Sequence, residues 1–214
     1  MNLRRILLIF ISLTITCSFS GCSALMMRMY GIKKQKYADD NTILHYAKRY
    51  NIPAADCYTL DTGYISFLFK MDTILFKKQI KNHYQPLQAL YYNNTGNLEV
   101  FHVNCYTRGF PNLKWNRDAL FAIFPPGQQA PADSILSLNR QLQLLQQLPY
   151  TASFSANQYD YVVIVYWSRF MGRQSKRLIK TIQNNQLLAG DKKVKIVYAN
   201  NDNLFAITHP AEIK

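Results

Sequence analysis

The sequence predicts one α/β domain on a mixed sheet, with a strand–helix–strand unit at about 160–199 and an upstream β-hairpin at about 86–105. The first observation is a pair of continuous apolar, β-branched runs, at 161–166 and 194–198, which are typical of strands buried on both faces. The second is the segment between them, whose apolar side chains recur at helical spacing. A strand, a helix and a strand in so short a span indicate parallel strands joined by a right-handed crossover.

The N-terminus has the pattern of an export signal. Arg4 and Arg5 precede a largely apolar run at 6–16, which is too short to span a bilayer but fits the apolar region of a signal peptide. Small residues then stand directly before Cys22, and this pattern resembles the lipobox of bacterial lipoproteins. The resemblance implies that residues 1–21 are a signal peptide and that Cys22 carries acyl chains such as palmitate. The alternative is an ordinary secretory signal with a chance cysteine.

Lipidation of Cys22 implies a place in the cell envelope, because several acyl chains on one residue anchor a protein stably. Neither an aspartate nor an acidic run follows Cys22, and the resemblance therefore favours the periplasmic face of the outer membrane. Residues 22–38 are then a lipidated tether. Residues 39–214 are a single domain with an N-terminal helical extension, and their number is sufficient for one well-packed core.

Three elements are predicted before the hairpin. Asp40 opens a helix that ends near residue 51, because Pro53 disfavours helical backbone before it. Segment 58–69 is rich in aromatic and β-branched residues and is interpreted as partly strand. Segment 72–83 is interpreted as a second helix. The apolar face of this second helix consists of Ile74, Leu75 and Ile80.

The hairpin is the clearest local pattern, because two apolar runs flank a turn in which Gly96 can adopt a positive φ. If Tyr92 pairs with Asn97, the apolar residues share one face and Gln88 lies on the other. This alternation predicts a ribbon with one buried side.

A loop and a helix are predicted between the hairpin and the central unit. Residues 107–131 are rich in proline and contain Trp115. This tryptophan either pins the loop against the body of the domain or lines a recognition surface. Asp133 then opens a helix that ends before Pro149, and its glutamine-rich side is predicted to face solvent.

The central unit carries a more specific pattern. Trp167 ends the buried strand, Phe170 follows in the turn, and a helix begins after Met171-Gly172-Arg173-Gln174. This order resembles the strand, Trp-centred turn and first active-site helix of thioredoxin-like proteins, over roughly residues 158–200. In that family the helix begins with a Cys-x-x-Cys motif. Met171 falls on its nucleophilic cysteine and Gln174 on its resolving cysteine.

The two substitutions remove the chemistry of the family, since a thiolate must attack a disulfide and a second thiol must resolve the mixed species. The resemblance therefore implies a degenerate, non-catalytic member. Family members also have a cis-proline at the start of a later strand, and a terminal strand pair with a helix. The nearest such proline is Pro210, which four residues follow. We expect the upstream hairpin at 86–105 to replace the missing edge of the sheet.

Positive charge dominates the chain, with 25 Lys and Arg against 12 Asp and Glu and a net charge of +13. In a cytosolic protein this would indicate nucleic acid. An envelope protein meets anionic glycans, lipid head groups or protein partners instead, and no nucleic acid is expected. The candidate contact residues are Trp167, Arg169, Phe170, Arg173, Lys176, Arg177 and Trp115. The alternative is a solvated basic helix face without a dedicated ligand.

Two cysteines remain in the predicted mature domain, Cys57 and Cys105. In an oxidising compartment they form one disulfide, or they stay as two buried thiols. The leading hypothesis is a lipid-anchored binding or assembly module. The alternative is a thiol-disulfide oxidoreductase that uses Cys57 or Cys105. The four histidines have no metal-ligand spacing, and no metal, cofactor or catalytic constellation is predicted.

Overall fold

The computed structural model describes residues 31–106 and 114–208, and both Cys22 and Pro210 lie outside the described residues. These residues form a six-stranded sheet with helices on both faces. The predicted α/β class and mixed sheet are confirmed. Within this part of the chain, no helix combines the length and the apolar character that crossing a membrane requires.

Six helices and six strands lie within the described residues, and the longest of these helices is Gly172–Gln186. The helices are α1 (Asp40–Arg49), α2 (Gly63–Phe69), α3 (Lys77–His83), α4 (Leu138–Gln143), α5 (Gly172–Gln186) and α6 (Asp202–Thr208). The strands are β1 (Cys57–Leu60), β2 (Gln88–Asn93), β3 (Leu98–Val103), β4 (Leu145–Gln147), β5 (Tyr161–Trp167) and β6 (Val194–Asn200). Short 3₁₀ helices occupy Ala54–Asp56, Leu120–Ala122 and Ala156–Gln158.

The strands lie in the order β3-β2-β5-β6-β1-β4. Strands β5, β6 and β1 are parallel, whereas β2 is antiparallel to both of its neighbours and β4 is antiparallel to β1. The crossover from β5 to β6 runs through α5, as the sequence predicts. The upstream hairpin pairs with β5 on the side away from β6.

Strand β5 is covered on both faces, which explains its uninterrupted apolar sequence. On one face, the Tyr91 hydroxyl of β2 donates a hydrogen bond of 2.9 Å to Asn185 Oδ1 of α5. On the other face, the ring of Tyr166 meets that of Tyr64 of α2 at 5.8 Å. Each buried valine or isoleucine of such a strand contributes about 1.5–3 kcal/mol of transfer free energy.

The hairpin forms where predicted, but its register and burial differ from the prediction. Tyr92 pairs with Leu98 rather than with Asn97, and the register shifts between Tyr91 and Tyr92. Because β2 lies between β3 and β5, both of its faces are covered. Gln88 is therefore buried. Its amide nitrogen Nε2 donates hydrogen bonds of 2.7 Å to the carbonyls of His83 and Gln85.

Segments 58–69 and 72–83 are each only partly as predicted. The first contains β1 followed by α2. In the second, the helix begins only at Lys77, because Asp72 Oδ1 accepts hydrogen bonds of 2.9 Å from the N–H groups of Ile74 and Leu75 and holds a turn there. The side chains of Ile74 and Leu75 are exposed, so the prediction that they form a buried apolar face is wrong.

The predicted helix from Asp133 is also shorter. Ser137 caps α4 by accepting a hydrogen bond from Arg140 N–H, and the chain after α4 joins the sheet as β4. The glutamine-rich side does not all face solvent. Gln141 is buried, and its Oε1 accepts a hydrogen bond from the Tyr166 hydroxyl.

Candidate functional site

The turn that resembles a redox site connects β5 to α5 at residues 168–171. Trp167 is fully buried, and its ring meets Tyr50 edge to face at 5.6 Å. Phe170 is buried against Phe205 of α6 at 5.5 Å, and Met171 is buried as well. The prediction that Trp167 and Phe170 belong to a contact surface is therefore wrong, because both side chains are part of the core.

A buried carboxylate holds this turn in place. Asp202, which is 1% exposed, accepts hydrogen bonds from the backbone N–H of Arg169 at 2.9 Å and from Arg169 Nε at 3.1 Å. Asn200 Nδ2 donates a third, at 2.9 Å. Burial raises the pKa of Asp202, while the hydrogen bonds from Asn200 and Arg169 and the charge of Arg169 act in the opposite direction. Arg169 is thus occupied within the fold.

Sequence reasoning missed Asp202. A signal was present, because the polar run Asn200-Asn201-Asp202 follows directly on the buried strand β6. The carboxyl ends of parallel strands lie at the same edge of a sheet. The end of β6 therefore lies beside the end of β5, where the turn begins.

The chain before α1 covers the turn. We call residues 31–38 the N-terminal strap. Lys33 N–H donates a hydrogen bond of 2.7 Å to the carbonyl of Phe170. Ala38 is buried and exchanges two hydrogen bonds, of 2.8 and 2.9 Å, with the side chain of Asn203. Hydrogen bonds to the body of the domain therefore extend to residues before 39.

The closest approach of the strap is at the start of α5. Gly172 has φ = 44°, and a Cβ atom at this position would lie 2.5 Å from the carbonyl oxygen of Gly31, so that only glycine fits. Arg169 Nη2 also donates a hydrogen bond of 2.9 Å to the carbonyl of Lys36. Backbone of the protein itself therefore lies against the start of α5.

Two of the predicted contact residues meet elsewhere, in a groove between α5 and residues 114–121. We call this the α5 groove. It has a volume of about 640 Å³. Its lining includes Lys114, Trp115, Arg177, Lys180, Thr181 and Asn184. Trp115 and Arg177 are thus brought together, while Arg173 and Lys176 are exposed on α5 outside this lining.

Trp115 forms part of the groove wall and is 3% exposed. Its indole Nε1 is buried and has no acceptor among the described residues. Unmet buried donors are rare in folded proteins and each calls for an explanation. The tryptophan both pins its loop and lines the groove, so the two alternatives left open by the sequence do not exclude each other.

The groove is electropositive. Helix α5 carries Arg173, Lys176, Arg177 and Lys180 and no acidic residue. The facing loop adds Lys114 and Arg117 against the single carboxylate of Asp118. Charges that line a concave surface focus their field on it, so this groove attracts anions.

The cysteines are not bridged in the structure. Cys57 and Cys105 are free thiols. Strands β1 and β3 are four strand spacings apart in the sheet, or about 19 Å, whereas disulfides need Cα atoms within about 7 Å. A bridge between Cys57 and Cys105 is therefore excluded in this fold.

Neither thiol is activated. Burial, followed by the nearby Asp56 carboxylate, raises the pKa of Cys57 to about 12. Burial also raises the pKa of Cys105, which Lys81 partly offsets. Thiolates are the reactive form, so both cysteines have the character of structural residues.

Comparison of the chain with protein-family models, with curated proteins and with solved structures finds no match. Among residues 31–106 and 114–208, no group of three or more His, Cys, Asp or Glu side chains is placed to hold a metal ion.

Replacing Arg169 by alanine should lower the free energy of unfolding by about 3 kcal/mol, because it leaves the Asp202 carboxylate buried without its charged partner. The double variant Arg169→Ala/Asp202→Asn should recover much of this loss, and Lys176→Ala should change stability by less than about 0.5 kcal/mol. Urea unfolding of the four proteins measures these differences.

The sign of the pH dependence follows from burial, which raises the pKa of Asp202 in the folded state. The folded state then favours the protonated carboxyl, and removal of Arg169 takes away the charge that offsets this effect. The loss of unfolding free energy caused by Arg169→Ala should therefore grow as the pH rises from about 4 to about 7. A deficit that is independent of pH and is not reduced by Asp202→Asn would contradict the role given to this pair.

The thiols give a second prediction. At neutral pH, iodoacetamide should modify Cys105 in the folded protein faster than Cys57, since Cys57 is buried and its pKa is raised to about 12. In denaturant both should react at similar rates, which is the control. Mass spectrometry of digests made without reductant measures both outcomes. A Cys57–Cys105 cross-linked peptide, or rapid modification of folded Cys57, would contradict the structure.

Proposed function

We propose that this protein is a lipid-anchored protein of the bacterial cell envelope, whose non-catalytic, thioredoxin-like domain binds its ligand through the α5 groove. The observation that carries the proposal is the meeting of Trp115 with Arg177 and Lys180 in one electropositive groove. At the neighbouring turn, buried Met171 and Gln174 stand where the family has its cysteines.

The sheet supports a rearranged thioredoxin-like domain. The hairpin of β2 and β3 lies beside β5 on the side away from β6, and so supplies the edge that the family builds from a terminal strand pair.

A binding role is favoured over the oxidoreductase alternative. Thiol exchange needs an accessible thiolate and a resolving thiol, whereas Cys57 lies in β1, Cys105 lies in the turn after β3, and the pKa values of both thiols are raised by burial. The N-terminal strap also lies against the turn through Lys33 and Phe170. A substrate disulfide would therefore meet no thiol at residues 168–174.

The anchor rests on the sequence before the described residues. Arg4, Arg5, the apolar run and the small residues before Cys22 agree with a lipoprotein signal. We place the mature protein at the periplasmic face of the outer membrane. The ligand is then an anionic component of the envelope.

Replacing Cys22 by serine should abolish incorporation of an alkyne-labelled fatty acid in the bacterial host, because the acylated thiol is lost. Cys17→Ser, a change within the predicted signal peptide, should keep the label and serves as the control. Fluorescence of the labelled protein on gels, with the mass of the N-terminal peptide, measures the result. A wild-type protein that takes up no label would contradict lipidation.

A photoreactive benzoylphenylalanine at Asn184, an exposed residue of the α5 groove, should form adducts in intact cells. The same residue at Lys78, exposed on α3, is the control and should give several-fold less. Adding Arg177→Glu and Lys180→Glu should reduce the Asn184 adduct at least about threefold, because it reverses the charge that attracts anions. Equal adduct yields at Asn184 and Lys78, or no effect of charge reversal, would contradict a groove-centred function.

A further inference from the structure

The α5 groove ends in an apolar patch. Leu188 is part of its lining and is 50% exposed, and the neighbouring Leu187 is 81% exposed. Ile123 is 65% exposed and lies beside α5, because its carbonyl accepts a hydrogen bond of 2.6 Å from Asn185 Nδ2. Exposed aliphatic side chains grouped beside a charged groove mark a surface that meets another apolar phase.

The groove residues of α5 form one stripe along the helix. Arg177, Lys180 and Asn184 follow one another at spacings of three or four residues, which places them on the same helical face, and Leu188 lies two residues beyond the end of the helix in the lining of the same groove. The stripe is basic at its start and apolar at its end. Interfacial helices that bind anionic bilayers have such a combination of cationic and aliphatic side chains.

We propose that the α5 groove binds the phosphate head group of an anionic phospholipid, in the same membrane that holds the lipid anchor. This inference rests on the proposed function, because it requires the anchor at Cys22. Lys114, Arg177 and Lys180 supply the positive charge around the phosphate. Leu187, Leu188 and Ile123 enter the interfacial layer beside it.

Trp115 fits this ligand better than a purely polar one. Its ring forms part of the groove wall, and its Nε1 has no acceptor among the described residues. Indole rings are enriched where apolar and polar phases meet, and the nearly buried ring of Trp115 gives this groove an apolar wall beside its basic side chains. An anionic glycan would match the basic side chains but would leave the apolar end of the groove unmatched.

The position of the strap brings the groove near the membrane. Gly31 lies against Gly172 at the start of α5, and nine residues lead from Cys22 to Gly31. Nine residues span at most about 30 Å, and α5, with 15 residues, is about 22 Å long. An anchor at Cys22 therefore keeps α5 close to the bilayer surface, where the local concentration of head groups is high.

The test uses the full protein, as purified from membranes in detergent and reconstituted into vesicles that contain a spin-labelled head-group lipid. The chain has two tryptophans. Trp167 is buried in the core and Trp115 lines the groove, so quenching by the head group reports on Trp115. The variant Trp115→Phe gives the background from Trp167.

We expect quenching to be at least about threefold stronger in vesicles with about 30% phosphatidylglycerol than in phosphatidylcholine alone, and to fall to the neutral level in about 0.5 M NaCl, where charge is screened. Arg177→Glu/Lys180→Glu should give the neutral level in both vesicles. Lys77→Glu/Lys78→Glu, which makes the same charge change on exposed residues of α3, should behave as the wild type.

Equal quenching in neutral and anionic vesicles would overturn the proposal. So would a saturable shift of Trp115 fluorescence with a heparin fragment or with inorganic phosphate alone, without a response to anionic vesicles, since either would assign the groove to a soluble anion. The intact mass of the same sample shows whether Cys22 is acylated. An unacylated protein would refute the anchor, whereas failed quenching of an acylated protein would refute only the lipid site.

Discussion

Strand β5 is paired on both edges and covered on both faces, and this burial constrains everything around it. Its residues pair with β2 on one side and with β6 on the other, so its end can lie in only one place. The turn after β5 and the start of α5 are fixed by that position. The groove between α5 and the loop at 114–121 follows from it, because α5 must pack back onto the sheet.

A buried ion pair and the N-terminal strap complete the turn. Asp202 accepts hydrogen bonds from the backbone and the side chain of Arg169, and Arg169 in turn donates to the carbonyl of Lys36 in the strap. A helix start of this kind favours thiol chemistry when it carries cysteines and is open. Here the helix start follows the buried Met171 and lies against the strap, so its contacts are with the protein's own core and backbone.

The proposed binding site lies along the side of α5 rather than at the turn before it. The exposed basic residues of α5 would have no more meaning than a solvated face if they stood alone. The facing loop changes this, because the indole N–H of Trp115 has no acceptor among residues 31–106 and 114–208 and Leu188 adds an apolar end to the groove. One helix thus contributes its buried side to the core and its outer side to the proposed binding site.

The parts of the fold that depend on near neighbours are predictable from the sequence. The buried strand β5, the helical spacing of α5, the start of α1 at Asp40 and the turn at Gly96 each follow from residues within a few positions of one another. The strand order, the burial of Gln88 and Gln141, and the exposure of Ile74 and Leu75 depend instead on long-range packing. The same packing places Trp115 and Arg177 in the lining of one groove and keeps Cys57 and Cys105 apart. These outcomes depend on which distant segments pair, and hydrogen-bonding and packing partners far along the chain leave no periodic pattern in the local sequence.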